Sequence, residues 1–239
     1  MTRRSGRRTN ICETMKPLRA TYSQRFYAIQ QRGSSRSAQK VLPLAFAAVK
    51  PQSVVDIGCG IGTWLATARD LGARRAVGLE GPWVTTAALA DGSLEILPTD
   101  LEQPFALGER FDLAVCMEVA EHLSPARAES FVGDLCRLAP HVLFSAAVPG
   151  QGGTNHVNEQ WQSYWASLFA KQGFGARDII RPALWHDRAV EYWYRQNAVL
   201  YSAGAGAAAD SGFDKVHPVH NSIAKRVGRV VMKVIDATA

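Results

Sequence analysis

A short apolar segment that runs directly into a glycine-rich turn constrains the fold of this chain more than any other feature. Residues 53–57 form a β-branched run, and Gly58, Gly60 and Gly62 follow before the chain continues at Thr63. Such a run is typical of a strand that is buried on both faces. Closely spaced glycines let the backbone turn tightly and leave main-chain amides open at the start of a helix. The sequence therefore predicts a strand, a ligand-binding loop and a helix in succession.

Predicted strands and helices alternate along most of the remaining chain. Further strands are predicted at 76–80, 94–97, 111–117, 141–148, 176–180 and 198–202. The helices predicted between them cover 63–71, 82–90, 125–138, 159–172 and 187–194. Two lead-in helices, 21–31 and 37–49, are predicted on either side of Gly33-Ser34-Ser35. This alternation indicates a doubly wound α/β domain with a mainly parallel, Rossmann-like sheet.

The two ends of the chain differ in composition from its middle. Residues 1–20 are predicted to form a basic flexible tail, and residues 21–202 the folded domain. Residues 203–212 are rich in alanine and glycine and are predicted to be a flexible linker. Residues 213–239 are predicted to form a basic amphipathic helix. That helix either docks on the domain or contacts an anionic membrane surface or a partner protein.

Charge is divided unevenly along the sequence. Residues 1–40 contain ten basic residues and one acidic residue, and residues 215–239 contain five and one. Residues 41–214 contain 12 basic and 19 acidic residues. Enzymes that act on nucleic acids normally carry basic residues beside the active cleft, because phosphate neutralisation supplies much of their affinity. The acidic middle of the chain therefore argues against a nucleic-acid substrate.

Cysteine usage and hydropathy predict the compartment. Cys12, Cys59, Cys116 and Cys136 occur singly, which predicts a reduced, cytoplasmic protein without disulfides. No apolar run approaches the ~18 residues that a membrane-spanning helix needs. If the basic helix binds lipid, the protein would be peripheral to the inner face of a membrane. Translation starts either at Met1 or at Met15, and both are compatible with the sequence.

Acidic residues accompany each of the first three predicted strands. Asp56 precedes the glycine loop, Glu80 ends the second strand and Asp100 follows the third. A carboxylate at Asp56 suits an ammonium group, an acid at Glu80 accepts the two hydroxyls of a ribose, and Asp100 can receive the exocyclic amine of adenine. The nicotinamide fingerprint requires a glycine where Thr63 stands. Ammonium, ribose and adenine together predict S-adenosylmethionine. The predicted cofactor-binding residues are Asp56, Gly58, Cys59, Gly60, Gly62, Glu80, Gly81, Asp100, Leu101 and Glu118.

A cluster of carboxylates and imidazoles is predicted at the ends of the next two strands. Glu118, Glu121 and His122 have the spacing of one helical face, and His156 follows the adjacent strand. Two carboxylates and two imidazoles suit Mg²⁺ or Mn²⁺, which would lower the pKa of acceptor hydroxyls. In the alternative, no metal binds and His156 or His122 is the general base. The predicted catalytic residues are His156, His122 and Glu121.

Residues further along the chain are predicted to form the acceptor pocket. Asn158 and Glu159 are predicted to orient the base or the acceptor. Trp185 and Trp193 are predicted to contact the substrate, because aromatic faces stack on sugars and on other planar groups.

Residues 53–202 resemble the class I S-adenosylmethionine-dependent methyltransferases, and especially a group of bacterial enzymes with a shared signature. The motifs that carry the resemblance are residues 53–60, 118–123, 152–154, 156–161 and 193–197. The resemblance implies a seven-stranded sheet with an antiparallel last strand and implies that Glu80 binds the ribose, where the family commonly has aspartate. The string E-V-A-E-H with a later histidine is similar to the metal site of small-RNA 2′-O-methyltransferases and to ubiquinone-pathway O-methyltransferases.

The resemblance also bears on the acceptor atom. Related enzymes that methylate amino groups of nucleic acids carry Asn or Asp, two prolines and an aromatic residue after the fourth strand. This four-residue motif is absent after Met117, where the fourth predicted strand ends. We therefore expect O-methylation of a hydroxylated small molecule or of a sugar or glycan precursor. Two alternatives are open: an RNA ribose 2′-O-methyltransferase, whose RNA affinity would fall steeply with salt, and a non-catalytic module that binds the cofactor.

Overall fold

The computed structural model of the protein describes residues 24–82, 89–206 and 213–220. Within these ranges the chain forms seven strands, named β1 to β7 in chain order: Ser53–Ile57, Arg75–Glu80, Glu95–Pro98, Leu113–Met117, His141–Ser145, Phe174–Arg177 and Val199–Ala203. It also forms six α-helices, named α1 to α6: Gln24–Val49, Thr63–Asp70, Ala128–Leu138, Gln162–Lys171, Ile180–Leu184 and Tyr192–Asn197. Two short 3₁₀ turns, Ala120–His122 and Pro125–Arg127, follow β4.

All seven strands belong to one sheet, and its order confirms the predicted fold class. The order is β3-β2-β1-β4-β5-β7-β6, and β7 is antiparallel to both of its neighbours. The other pairings are parallel. Strand order reverses between β1 and β4, so the carboxyl ends of these two strands frame the crevice in which α/β proteins usually bind ligands.

One long helix replaces the two predicted lead-in helices. Helix α1 runs without a break through Gly33, although the glycine and serines there predicted an interruption. Ser37 satisfies its hydroxyl inside the helix by donating to the Gly33 carbonyl at 2.7 Å. A Cβ at Gly33 would lie 2.5 Å from the Glu191 carboxylate. The glycine therefore provides close approach of α1 to the residues before α6, which local sequence does not reveal.

Other element boundaries also differ from the sequence prediction. The prediction of one helix over 187–194 is wrong, because helix α5 ends at Leu184 and α6 begins only at Tyr192. Strand β5 ends at Ser145, and the residues that follow it form a loop toward the crevice. Of the predicted helix at 82–90, residues 83–88 lie outside the described residues, as do the predicted tail and most of the linker.

The predicted C-terminal helix differs in its first residues. Residues 213–217 are not helical, helical structure covers 218–220, and residues 221–239 lie outside the described residues. The Phe213 carbonyl accepts a hydrogen bond from the buried Arg181 guanidinium at 2.7 Å. His217 and His220 are also buried. We name residues 213–220 the C-terminal segment; it packs on the domain.

Two further observations concern the described ranges only. Cys59, Cys116 and Cys136 are free, buried thiols there. No helix within these ranges has the length and hydropathy required to span a membrane.

Candidate functional site

The loop between β1 and α2 has the conformation that its glycines predict. Gly58, Gly60 and Gly62 all have positive φ angles, of 70°, 55° and 82°. A Cβ at Gly58 would lie 2.5 Å from the Val119 side chain, whereas a Cβ at Gly60 would meet nothing within 4 Å. No side chain caps the start of α2, so the amides of this helix end are available to an anionic group. The loop thus offers open space and backbone donors toward the crevice.

Asp56 is a buried carboxylate whose charge the described residues do not neutralise. It is 2% exposed, and its Oδ2 atom has no hydrogen-bond partner among the described residues. Burial, followed by the nearby Glu80 carboxylate, raises the pKa of Asp56 to about 8. A hydrogen bond from the Leu65 amide lowers this pKa but does not outweigh the other two effects. A buried oxygen of this kind usually has a partner. Its surroundings suit a cationic group of a ligand.

The raised pKa of Asp56 predicts how protein stability depends on pH. The folded protein holds this proton up to about pH 8, whereas the unfolded chain releases it near the ordinary value of 3.8. The contribution of Asp56 to the free energy of unfolding is therefore fully present below about pH 3.8 and is lost as the pH rises toward about 8. We expect Asp56→Asn to raise the melting temperature by at least about 3 °C near pH 8, and by less near pH 5.

Thermal unfolding without cofactor, at both pH values, measures this difference. The matched control is Asp70→Asn at the exposed end of α2, which should change neither melting temperature. Equal shifts for Asp56→Asn at the two pH values would show that the carboxylate is not protonated in the folded protein.

Glu80 connects the end of β2 to the glycine loop. Its Oε2 atom accepts a hydrogen bond from the Gly60 amide at 2.7 Å, and its Oε1 atom accepts one from the Gly81 amide at 2.8 Å. The side chain is largely buried, with 9% exposed. Glutamate is long enough to reach across to the neighbouring loop, and each carboxylate oxygen has further lone pairs for ligand hydroxyls. This geometry supports Glu80 as the predicted ribose ligand.

The other predicted cofactor residues differ in their accessibility. Asp100 is exposed beyond β3, where its Oδ1 atom accepts a hydrogen bond from the Glu102 amide at 3.0 Å. Leu101 is half-buried beside it. Cys59 is buried and its sulfur lies against Gly78 of β2, so a Cβ there would be 2.6 Å from it. This contact supports a packing role for the Cys59 thiol. Asp100, in contrast, is exposed and accessible to a ligand.

Glu118, directly after β4, is held by side chains from distant parts of the sequence. Its φ angle is 57°, a left-handed conformation that is uncommon for a residue other than glycine. The carboxylate accepts hydrogen bonds from Gln151 Nε2 at 2.8 Å and from Asn197 Nδ2 at 3.1 Å. Burial raises the pKa of Glu118 although these hydrogen bonds oppose the shift. Sequence reasoning gave Gln151 no role, because only the fold brings it to Glu118.

Three of the four predicted metal ligands lie together. One ligand atom each of Glu121, His122 and His156 lies within 4.8 Å of the other two. The imidazole rings of His122 and His156 are 4.9 Å apart in an edge-to-face arrangement. Glu118 is not part of this group. Of the four predicted ligands, three therefore form one cluster, and Glu118 lies beside it with hydrogen bonds of its own.

Glu121 is the buried member of this cluster. It is 0% exposed, and neither carboxylate oxygen makes a hydrogen bond of ordinary geometry within the described chain, although the Ala147 backbone is near. Burial, followed by the charge of Glu118, raises the pKa of Glu121 well above its usual value. Burial also lowers the pKa of His122. Both shifts reflect ionisable groups that lack a compensating charge.

Glu159 orients the His156 imidazole. Its Oε1 atom accepts from His156 Nδ1 at 2.9 Å and from the Gly152 amide at 2.7 Å, while Oε2 accepts from the Gly150 amide at 2.8 Å. Burial opposes ionisation of Glu159, but these hydrogen bonds outweigh it and lower its pKa. With Nδ1 donating to Glu159, Nε2 is the ring nitrogen of His156 that is left for a ligand or a substrate proton. Glu159 therefore positions His156.

Three of the predicted substrate residues, Asn158, Trp185 and Trp193, have internal contacts. Asn158 is 2% exposed, accepts a hydrogen bond from Gln160 at 3.0 Å and leaves its Nδ2 atom without a partner among the described residues. The Trp185 ring lies 4.9 Å from His217 of the C-terminal segment. Trp193 packs beside the core that α1 helps to form. These contacts favour a packing role for the two tryptophans.

Tyr192, the first residue of α6, is a further aromatic residue whose hydroxyl senses the carboxylates of the crevice. Burial, followed by the charges of Glu118 and Glu159, raises the pKa of its hydroxyl. Tyr192 therefore lies within electrostatic reach of both carboxylates. Sequence reasoning counted it as one of several aromatic residues, and no local signal distinguishes it from its neighbours.

Comparison with known proteins agrees with this architecture. The family described as "Methyltransferase domain" matches residues 24–179. A ubiquinone biosynthesis O-methyltransferase of Methylobacterium sp. (strain 4-46) is 41% identical over 103 residues. That alignment covers 40% of this chain and only 40% of the relative's own length.

Two solved structures share the fold at low sequence identity. A sugar N-methyltransferase from Streptoalloteichus sp. is 13% identical with a TM-score of 0.60, over 85% of this chain and 99% of that one. The magnesium protoporphyrin IX methyltransferase of Synechocystis PCC 6803, solved with bound SAH, is 16% identical with a TM-score of 0.56. The match covers 74% of this chain and 87% of that one.

Proposed function

Because the chain belongs to the methyltransferase-domain family, we propose that it transfers a methyl group from S-adenosylmethionine to a hydroxyl oxygen of a small-molecule acceptor. S-adenosylmethionine is the cofactor, and the crevice suits it in charge and space. Asp56 has a buried oxygen without a partner among the described residues, and Gly60 faces open space. Glu80 accepts a hydrogen bond from the Gly60 amide and so lies beside that space. The name of the Methylobacterium relative, an O-methyltransferase, supports oxygen as the acceptor atom.

Methyl transfer to oxygen is an in-line displacement. The acceptor oxygen forms a bond to the methyl carbon, the carbon–sulfur bond breaks, and its electron pair stays on sulfur in S-adenosylhomocysteine. The acceptor hydroxyl also releases its proton, so the protein must align the reactants and favour this loss. In the proposed site, Glu118 and the glycine loop hold the donor side, while Glu121, His122 and His156 face the acceptor.

The cluster of Glu121, His122 and His156 carries the proposal. Two imidazoles and one carboxylate within 4.8 Å of one another suit a divalent cation, and a cation would compensate the buried Glu121 charge. Mg²⁺ or Mn²⁺ held there would chelate acceptor hydroxyls and lower their pKa. Glu159 would support His156 from behind, as carboxylates commonly do for metal-binding histidines. Neighbouring hydroxyls, as in a sugar or a catechol-like ring, are therefore the proposed acceptor class.

Chelation tests the metal in this proposal. Purified protein is incubated with methyl-labelled cofactor and cell extract, and the labelled product is identified by mass. We expect EDTA to abolish labelling and Mn²⁺ or Mg²⁺ to restore it. His156→Ala should remove labelling, whereas His186→Ala, at an exposed histidine, should not.

The other outcomes of this experiment are equally informative. Full labelling in EDTA would contradict the metal and leave His156 Nε2 as the proton acceptor, aligned by Glu159. Cofactor binding without any labelled product would contradict the catalytic proposal and favour a binding module. A labelled RNA would contradict the small-molecule acceptor.

A further inference from the structure

Three side-chain amides beside the Glu118 carboxylate are hydrogen-bonded to one another. Gln151 and Asn197, which hold Glu118, are joined to each other by a hydrogen bond of 2.9 Å from Asn197 Nδ2 to Gln151 Oε1. Gln196 Nε2 donates to Asn197 Oδ1 at 3.0 Å and to Gln151 Oε1 at 3.3 Å. Gln196 is 0% exposed. The three amides form one connected network, in which Gln196 and Asn197 are buried and Gln151 is half-buried.

The direction of these hydrogen bonds is determined by Glu118. An ionised carboxylate can only accept, so Gln151 and Asn197 must turn their NH₂ groups toward it. Their oxygens then face away, and Gln196 must turn its own NH₂ group toward them. Gln196 Oε1 is consequently left facing the opposite side, where it requires a donor. An unmatched buried acceptor costs about 1–3 kcal/mol.

The C-terminal segment supplies that donor. The His217 backbone amide donates to Gln196 Oε1 at 2.7 Å. The segment reaches this point from an anchored start, since Lys215 Nζ contacts Asp178 at 3.1 Å and the Lys215 carbonyl accepts from Gln162 at 2.9 Å. The His217 ring contacts the Trp185 carbonyl at 3.0 Å. Docking of the segment therefore completes the network that ends at Glu118.

We propose that Gln196 is a positioning residue that couples docking of residues 213–220 to the orientation of the Glu118 carboxylate, which makes the C-terminal segment part of the cofactor site. The inference rests on the proposed contact of Glu118 with the cofactor. When the segment is docked, every amide in the network has its partner and Glu118 is held in its left-handed conformation. Without the His217 amide, Gln196 can satisfy its oxygen only by turning, and the donors that hold Glu118 are disturbed.

Substitution of His217 separates its backbone donor from its side chain. His217→Pro removes the N–H group and the imidazole, whereas His217→Ala removes the imidazole alone. Affinity for S-adenosylmethionine is measured by calorimetry well below the melting temperature of each variant. We expect His217→Pro to bind about tenfold more weakly than His217→Ala, as loss of one buried hydrogen bond predicts. In a Glu118→Ala background the two substitutions should bind equally, because a route through Glu118 no longer exists.

The outcomes distinguish this inference from the proposed role of Glu118. Equal affinities of His217→Pro and His217→Ala would overturn the coupling, as would the same tenfold difference in the Glu118→Ala background. If Glu118→Ala alone binds normally, the proposed cofactor contact of Glu118 fails and the coupling fails with it.

A second pair of variants covers the case in which His217→Pro does not fold. Gln196→Met fills similar space without donors or acceptors and should weaken cofactor binding by about tenfold. Its control is Gln103→Met at an exposed position, which should bind normally. Normal binding by Gln196→Met would overturn the proposal.

Discussion

Glu80→Ala is expected to weaken binding of S-adenosylmethionine by roughly 100-fold, since hydrogen bonds to a charged group contribute about 1.5–3 kcal/mol each and the variant loses them to the ribose. The variant also leaves the Gly60 amide without its acceptor, so the loop loses a contact that holds its shape. Isothermal titration with the cofactor measures the change.

Two control variants make this experiment specific. Glu95→Ala removes an exposed carboxylate that pairs with Arg75 on the neighbouring strand, and it should bind the cofactor normally. Glu80→Asp keeps the charge but shortens the reach to Gly60, so its affinity should lie between those of the wild type and the alanine variant. Unchanged affinity in Glu80→Ala would remove Glu80 as the ribose ligand.

Glu121→Gln is expected to lower the rate of methyl transfer by at least about 100-fold while leaving the metal-free protein as stable as the wild type or more so. The substitution preserves shape but removes the negative charge that Glu121 would present to a metal, and the Glu121 oxygens make no hydrogen bond of ordinary geometry in the described chain. Loss of that charge should also abolish Mn²⁺ binding by the cluster. Opposite effects on stability and activity are typical of residues retained for function.

Three measurements test the Glu121 prediction. Calorimetric titration with Mn²⁺ reports the site without any acceptor, thermal unfolding reports stability, and labelling of the extract product reports transfer. Glu129→Gln, an exposed carboxylate that pairs with Lys171, is the matched control and should resemble the wild type in all three. A Glu121→Gln variant that binds Mn²⁺ normally would contradict the assignment of Glu121 as a ligand.

Much of the fold was accessible from sequence because the signals are local. The apolar run of β1, the glycines after it and the acid at the end of β2 follow one another within a single strand–helix–strand unit. Carboxyl ends of neighbouring parallel strands meet at one edge of the sheet, so Asp56 and Glu80 had to lie close together. The cluster of Glu121 and His156 follows from the same rule applied to β4 and β5.

The same local reasoning was wrong or incomplete where a distant contact decides the outcome. Helix α1 is continuous through Gly33, where the absence of a Cβ leaves room for the side chain of Glu191, far along the chain. Glu118 is not grouped with the other three predicted metal ligands, and Asn197, 79 residues later, donates a hydrogen bond to its carboxylate. Backbone propensity and spacing do not contain such partners.

Local sequence was sufficient for the sheet class, the glycine loop, the acid at the end of β2 and the three residues of the Glu–His–His cluster, since each is specified within one or two adjacent elements. The assembled fold was needed to show that Glu118 belongs to an amide network, that Tyr192 lies within electrostatic reach of Glu118 and Glu159, and that residues 213–220 dock on the domain. The physical reason is that hydrogen-bond partners and burial depend on which distant segments share a side of the sheet, and that arrangement exists only once the strands have assembled in their final order.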